Sequence, residues 1–195
     1  MRLPPTRRVL LMRSIVGRIH AIAPLGRVVV AIDGGGGTRA FADDLAEVFR
    51  EAGSDTFRAS IGDFHTSRAY RTRHGAETPE GYYRDAFDYV TLRRVLLDPF
   101  RLAGSAGFQT AAFDEVRDVP VESRWQTAGP DAVLVLDGEF LLRPELRREW
   151  DASVLLVNAP ARPVYEEDAR PREVADILVD DAEPERPVFA ARQTT

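Results

Sequence analysis

The sequence contains no cysteine. Disulfides and thiolate metal sites are therefore excluded, and a reducing compartment is permitted. Lysine is also missing: all 26 basic residues are arginine. Chemistry that uses a compact ammonium beside a phosphate must do without it or rely on a guanidinium, which is planar and forked and no simple replacement. The first 32 positions hold six arginines and no acidic residue, although the whole chain carries −5. The acidic remainder argues against a general nucleic-acid binder. Long apolar runs are lacking too. The longest near the start covers residues 9–12, and Arg13, Arg18 and His20 break up the segment after it. That is too short for a signal peptide or a membrane span, so a cytoplasmic protein without a membrane partner is expected. Histidine shows no metal-ligand spacing, and there is no G-x-S-x-G elbow.

What is present reads as a folded chain. Its 195 residues, 44% hydrophobic and 29% charged, suit a single domain over 1–195 with one core. Residues 6–22 place Leu11, Ile15, Val16, Ile19 and Ile22 on one helical stripe. Residues 28–32 form a continuous apolar run that ends in Asp33 and four glycines, the pattern of a buried parallel strand and a tight loop. Phe41, Leu45, Val48 and Phe49 then predict a helix that stops near Gly53. A second strand is expected over 56–61, a polar, Arg- and Tyr-rich stretch over 65–84 and a helix over 84–97. A turn is expected at 104–107, with strands of an excursion at 108–113 and 119–126. Residues 132–136 read as a third buried strand, 144–150 as a short helix and 153–157 as a fourth strand. Residues 159–172 read as a loop and 175–179 as a last strand, with an exposed tail beyond Glu183.

Strands that alternate with helices indicate an α/β fold with helices on both faces of a parallel sheet. Ligands of such sheets lie outside the carboxyl ends of the strands. Asp33, the Gly62-Asp63 pair and Asp137 all fall at expected strand ends and are expected to converge there. Residues 34–37, all glycine, open a helix and suit an anion, since a helix start attracts negative charge even without lysine. Asp137 has the position of a carboxylate that supports Mg²⁺, with a turn cap as the plain alternative. Asp63 and His65 are acid–base candidates, His65 because imidazole titrates near neutrality. His74, Arg71 and Arg73 read as solvated loop residues, and Asp85 and Asp88 as residues that favour a helix start.

Several strings, in order along the chain, resemble uridine-kinase-like P-loop phosphotransferases. They are Val-Ala-Ile-Asp-Gly with Phe-Ala-Asp-Asp-Leu-Ala (30–46), Arg-Ala-Ser-Ile-Gly-Asp-Phe-His (58–65), Thr-Pro-Glu-Gly-Tyr-Tyr (78–83), Asp-Ala-Val-Leu-Val-Leu-Asp-Gly (131–138) and Ala-Arg-Pro-Arg-Glu-Val-Ala-Asp-Ile (169–177). The resemblance implies a P-loop-type three-layer α/β sandwich with a parallel sheet. It also implies phosphorylation of a nucleoside or similar small hydroxyl compound with ATP and Mg²⁺. By the same resemblance 34–37 with Thr38 and Arg39 would be the phosphate loop, Asp137 the Mg²⁺-supporting carboxylate, and Tyr82, Tyr83, Asp85 and Phe113 a substrate pocket.

Three departures accompany it. A P-loop reads G-x-x-x-x-G-K-[ST]. Here Thr38 falls where the lysine belongs, Arg39 where the hydroxyl belongs, and the loop is about two residues short. Gly62 stands where the resemblance calls for the carboxylate that accepts the substrate proton. After Val157 little room remains for the arginine-bearing lid that closes such sites. The expected function is thus a ligand-binding or regulatory relative that has lost standard transfer or uses its crevice for other chemistry. An active small-molecule kinase with an atypical loop is the alternative, and only then do Mg²⁺ and ATP count as cofactors. A nucleoside-like or phosphorylated small molecule is the expected partner, and a homodimer is compatible with the sequence.

Overall fold

The computed structural model describes residues 2–102, 106–160 and 162–192. They fall into two compact units: Met1–Arg58 with Asp131–Thr195, and Ala59–Pro130.

The first unit is built on a six-stranded sheet. Helix α1 (Arg7–Ile22) precedes β1 (Val28–Asp33), α2 (Thr38–Glu51) and β2 (Thr56–Ser60). The second unit carries α3 (Arg68–Arg71), α4 (Pro79–Asp85), α5 (Tyr89–Leu92), α6 (Asp98–Arg101), β3 (Phe113–Asp114) and β4 (Val119–Pro120). The first unit resumes with β5 (Val133–Gly138), β6 (Ala152–Leu156), α7 (Pro163–Ala169), α8 (Pro171–Val174), β7 (Ile177–Asp180) and β8 (Val188–Phe189). The strand order is β2-β5-β1-β6-β7-β8. β1 runs parallel to β5 and to β6, and β6 to β7, while β8 is antiparallel to β7. The chain therefore has an α/β fold with a mostly parallel sheet and flanking helices, as the alternating pattern predicts. The tail expected to be exposed supplies the edge strand β8.

β1 and β5 are buried along their whole length, which is why both read as unbroken apolar runs. Val28, Val30, Ile32, Val133 and Val135 pack with Met12, Ile15, Val16 and Ile19 of α1 and Phe41, Leu45 and Phe49 of α2. Ile15, Val16 and Ile19 of the expected stripe are buried and Leu11 packs against the core, while Met12 joins them and Ile22 is 46% exposed. Thr6 caps α1 by accepting from the Val9 N–H at 3.2 Å. Val29, Ala31, Leu134 and Leu136 fill the opposite face and are equally buried.

In the second unit the polar stretch 65–84 holds the single-turn helix α3 and most of α4. Thr78 caps α4, whose first residue is Pro79, an arrangement that favours a helix start. The single helix expected over 84–97 is broken at Ala86-Phe87, because Phe87 bridges to His65 and Asp88 caps the next turn. That turn continues as a π-type segment, Arg93–Leu97. Pro99 has no N–H for the Val95 carbonyl, and that carbonyl accepts from Gln109 instead, at 2.8 Å. The excursion strands shrink to the pair β3–β4 and a bridge between Phe108 and Gln126. Of the expected turn at 104–107, residues 104 and 105 lie outside the described residues. The helix expected over 144–150 is a turn with one 3₁₀ segment, Arg147–Glu149. The expected loop 159–172 folds into α7 and α8.

Candidate functional site

Strand register decides where the two strand-end carboxylates of the first unit point. Ile32 pairs with Asp137, and Asp33 pairs with Gly138. Paired residues of parallel strands share a face, and successive residues alternate. Asp137 therefore shares the α1–α2 face with Ile32, and Asp33 lies on the other. The two do not converge, contrary to the expected cluster of carboxylates. The offset of a single residue between neighbouring strands separates them.

On the α2 face the 34–37 loop follows β1. Gly37 is the N-cap of α2 with φ 100°, a conformation that glycine adopts without strain. A Cβ on Gly35 would stand 3.1 Å from the Ala159 Cβ and 3.3 Å from the Pro160 Cδ, so the loop rests closely on that segment. The main-chain N–H groups of Gly35, Gly36 and Gly37 meet no main-chain acceptor among the described residues. A Cβ on Gly37 would lie 3.8 Å from the Asp181 Oδ2. Burial raises the pKa of Asp181 above the usual carboxylate value, and a hydrogen bond from Asn158 opposes the shift.

Thr38 is buried, and its hydroxyl donates to the Asp137 Oδ2 at 3.4 Å. The sequence resemblance put Thr38 in the lysine position and Arg39 in the hydroxyl position. The geometry corrects this: Thr38 is the hydroxyl facing the strand-end carboxylate, while Arg39 is exposed.

The second Asp137 oxygen, Oδ1, accepts from Arg58 at 2.7 Å. Arg58 also donates to the Val135 carbonyl at 2.6 Å and to Asp43 of α2 at 2.9 Å. Its guanidinium is thus held at three points, with the Asp137 side chain 3% and that of Arg58 17% exposed. The sequence reading overlooked Arg58 and Asp43. Arg58 lies inside the 58–65 string, but nothing in a single strand reveals which residue of the next strand it will meet.

On the other face Asp33 is 1% exposed. Its Oδ2 accepts from the Leu142 N–H at 3.2 Å and from the Tyr165 hydroxyl of α7. Its Oδ1 has no hydrogen-bond partner among the described residues. Burial pushes its carboxyl up to about 7, against the pull of the Tyr165 hydroxyl and the Leu142 amide. A cavity of about 30 Å³ beside it is lined by Gly34, Glu139, Phe140, Arg162 and Tyr165, room for one water. Glu139 pairs with Arg162, so this carboxylate is engaged and not a free base. Phe140 has φ 63°, uncommon for a bulky residue, and its ring meets that of Tyr165 edge to face at 5.2 Å.

In the second unit His65 is 5% exposed. Its ring centroid lies 4.6 Å from that of Phe87 and 6.2 Å from that of Tyr82. Nδ1 is 3.4 Å from an Arg71 nitrogen and Nε2 is 3.5 Å from a Glu115 oxygen. A hollow of about 590 Å³ is lined by His65, Thr66, Tyr70, Arg84, Asp85, Phe87 and Phe113, among others. Of the expected pocket residues, Asp85 and Phe113 line it, Tyr83 is buried at 5% exposure, and Tyr82 packs on His65 and Phe87. Asp85 is paired with Arg73 at 3.0 Å. Asp88 caps α5 by accepting from Thr91. Asp63 lies in the 3₁₀ turn Ile61–Phe64 with Gly62, and its carbonyl accepts from the Ala112 N–H at 2.9 Å; it does not line the hollow. A wider open hollow of about 640 Å³ runs along α1 and α2 past Arg13 and Glu51 and touches none of the candidate residues.

No protein-family model and no curated protein matches the chain. Solved structures do. A possible uridine kinase from Bacillus stearothermophilus is 25% identical with a TM-score of 0.73, over 88% of this chain and 96% of that one. A candidate fructose transport system kinase from Silicibacter sp. TM1040 is 20% identical with a TM-score of 0.60, over 86% and 94%. The chain has a P-loop kinase-like fold and resembles uridine kinase in structure. Among the described residues no helix is long and apolar enough to cross a membrane.

Kinases of this fold use Mg²⁺ held by the loop hydroxyl and the strand-end carboxylate. The hydroxyl and the carboxylate are both here, as Thr38 and Asp137. The residues nevertheless do not fit the ion, because the Asp137 charge is already met by Arg58. Among the described residues no group of three or more His, Asp or Glu side chains could hold a metal.

Proposed function

We propose that this P-loop kinase-like protein binds a small nucleoside-like or phosphorylated ligand and does not carry out standard ATP-dependent phosphoryl transfer. One observation carries the proposal: the loop that opens α2 ends in Gly37-Thr38, and a chain without lysine has no ammonium to place against a β- or γ-phosphate. The engagement of Asp137 by Arg58 and the glycine at position 62 support it. Helix α2 starts with unmet N–H groups, which supports an anion at 34–37. The hollow beside His65, about 590 Å³, has the size of a small-molecule site. The protein acts as a binding or regulatory partner in the cytoplasm, with neither nucleic acid nor membrane, and a homodimer remains compatible.

Calorimetry with Mg-ATP tests the proposal. Weak or absent binding is expected. A micromolar dissociation constant, about −8 kcal/mol, would overturn it. The second reading, an active small-molecule kinase, is favoured by the retained Thr38–Asp137 contact and by the likeness to a possible uridine kinase at 25% identity. Turnover of ATP in the presence of uridine is its test.

A further inference from the structure

We infer that Arg58 is the resident cation of this crevice: its guanidinium takes the place beside Asp137 that the fold otherwise gives to a divalent ion. The wild-type protein therefore takes no divalent cation there, and an anion at the start of α2 enters free of metal. Only the metal-free character of that anion rests on the function proposed above; the closure of Asp137 by Arg58 does not.

The geometry is that of a fixed charge. Asp137 offers two oxygens on the α2 face. One receives the Thr38 hydroxyl and the other receives Arg58 at 2.7 Å. A mobile arginine would be held at one point. Arg58 is held at three, by Asp137, by the Val135 carbonyl on the same strand and by Asp43 across on α2. A charge-assisted bond to a carboxylate as buried as Asp137 is strong and dry. Removing the guanidinium would strand that carboxylate without a counter-charge, which a buried site tolerates poorly. The stranded Asp137, the Thr38 hydroxyl and Asp43 together are hard oxygen ligands of the kind that bind Mg²⁺ or Mn²⁺. Arginine suits the role of permanent occupant because it keeps its proton at any ordinary pH. A divalent ion, by contrast, would leave with its ligand or with a chelator.

Mn²⁺ alone serves as the probe, followed by electron paramagnetic resonance and by thermal unfolding of the full chain. Wild type is expected to bind no Mn²⁺ and to show no shift in Tm. Arg58→Ala is expected to unfold at lower temperature, to recover part of the loss when Mn²⁺ is added, and to show Mn²⁺ binding that wild type lacks. Arg58→Gln keeps the stem and an amide in place and serves if the alanine variant fails to fold. Mn²⁺ binding by wild type that Asp137→Asn weakens overturns the inference even if neither variant can be purified. Folded Arg58 variants that gain no Mn²⁺ affinity overturn it as well. Mg-ATP binding by wild type bears on the proposed function and is read in a separate titration, so the two can fail independently.

Discussion

Asp33 and Asp137 end neighbouring strands of one sheet, one register step apart, and they are solvated in opposite ways. Asp137 is buried and charged, held by the Arg58 guanidinium and the Thr38 hydroxyl. Asp33 is buried and held by a hydroxyl and one amide, and burial pushes its carboxyl up to about 7. The same side chain at the same edge is salt-bridged on one face, while on the other burial pushes its carboxyl up to about 7. The cause is what each face packs against it. Burial alone favours the protonated acid, and an adjacent guanidinium favours the carboxylate. A carboxylate at a strand end is therefore no guide to charge until its face is known.

The comparison breaks most decisively if Arg58 is removed. Arg58→Ala is expected to cost about 3–5 kcal/mol, the range for one partner of a buried ion pair, measured by urea unfolding at neutral pH. A cost under about 1 kcal/mol, the surface range, would mean that Asp137 is in contact with water and that the two corners differ little.

The Asp33 corner is tested by pH. The folded pKa is raised to about 7 from an ordinary value of 3.8, so the native state binds the proton more tightly than the unfolded chain. The stability that this proton provides is complete below the unfolded value, declines as pH rises toward 7, and is lost above it. At 1.36 kcal/mol per unit the loss is at most about 4 kcal/mol. Asp33→Asn, neutral at every pH, is expected to flatten that slope. An unchanged slope would show that Asp33 does not set it.

A smaller effect is expected at the hydroxyl. Tyr165→Phe removes the donor to Asp33 and is expected to cost about 1 kcal/mol. It should also move the Asp33 titration upward, since that hydroxyl favours the charged form. Carbon-detected NMR of the carboxyl reads the shift directly, and a downward shift would reverse the assigned role. The smallest effect concerns Asp181, whose carboxylate stands by Gly37. A carboxylate near a helix start competes with an incoming anion. Asp181→Asn is expected to strengthen inorganic phosphate binding at α2 by about two- to fivefold, measured by calorimetry. Weaker binding in the variant would instead make Asp181 part of the phosphate site.

Much of the fold is legible because it follows from local chemistry. Residues 28–32 and 132–136 read as buried strands since only an unbroken apolar run can be covered on both faces, and the structure places β1 and β5 there. The glycine before α2 is equally readable, as Gly37 sits at φ 100°. The misreadings cluster where a distant contact overrides the local pattern. The Pro- and charge-rich residues 159–172 read as loop from composition. They form α7 and α8, anchored by the bond from Tyr165 to Asp33 across 132 positions of sequence.

The sequence by itself determined the parallel α/β framework, the glycine loop at the start of α2, and the lack of any lysine to serve that loop. Each depends on residue type or on spacing within a few positions, which a one-dimensional string contains. The tertiary structure alone decided that Asp33 and Asp137 face apart, that Thr38 rather than Arg39 meets Asp137, and that Arg58 neutralises it from 79 residues away. Those outcomes depend on register between strands, where a shift of one residue turns a side chain to the other face, and register is set by packing across the whole sheet.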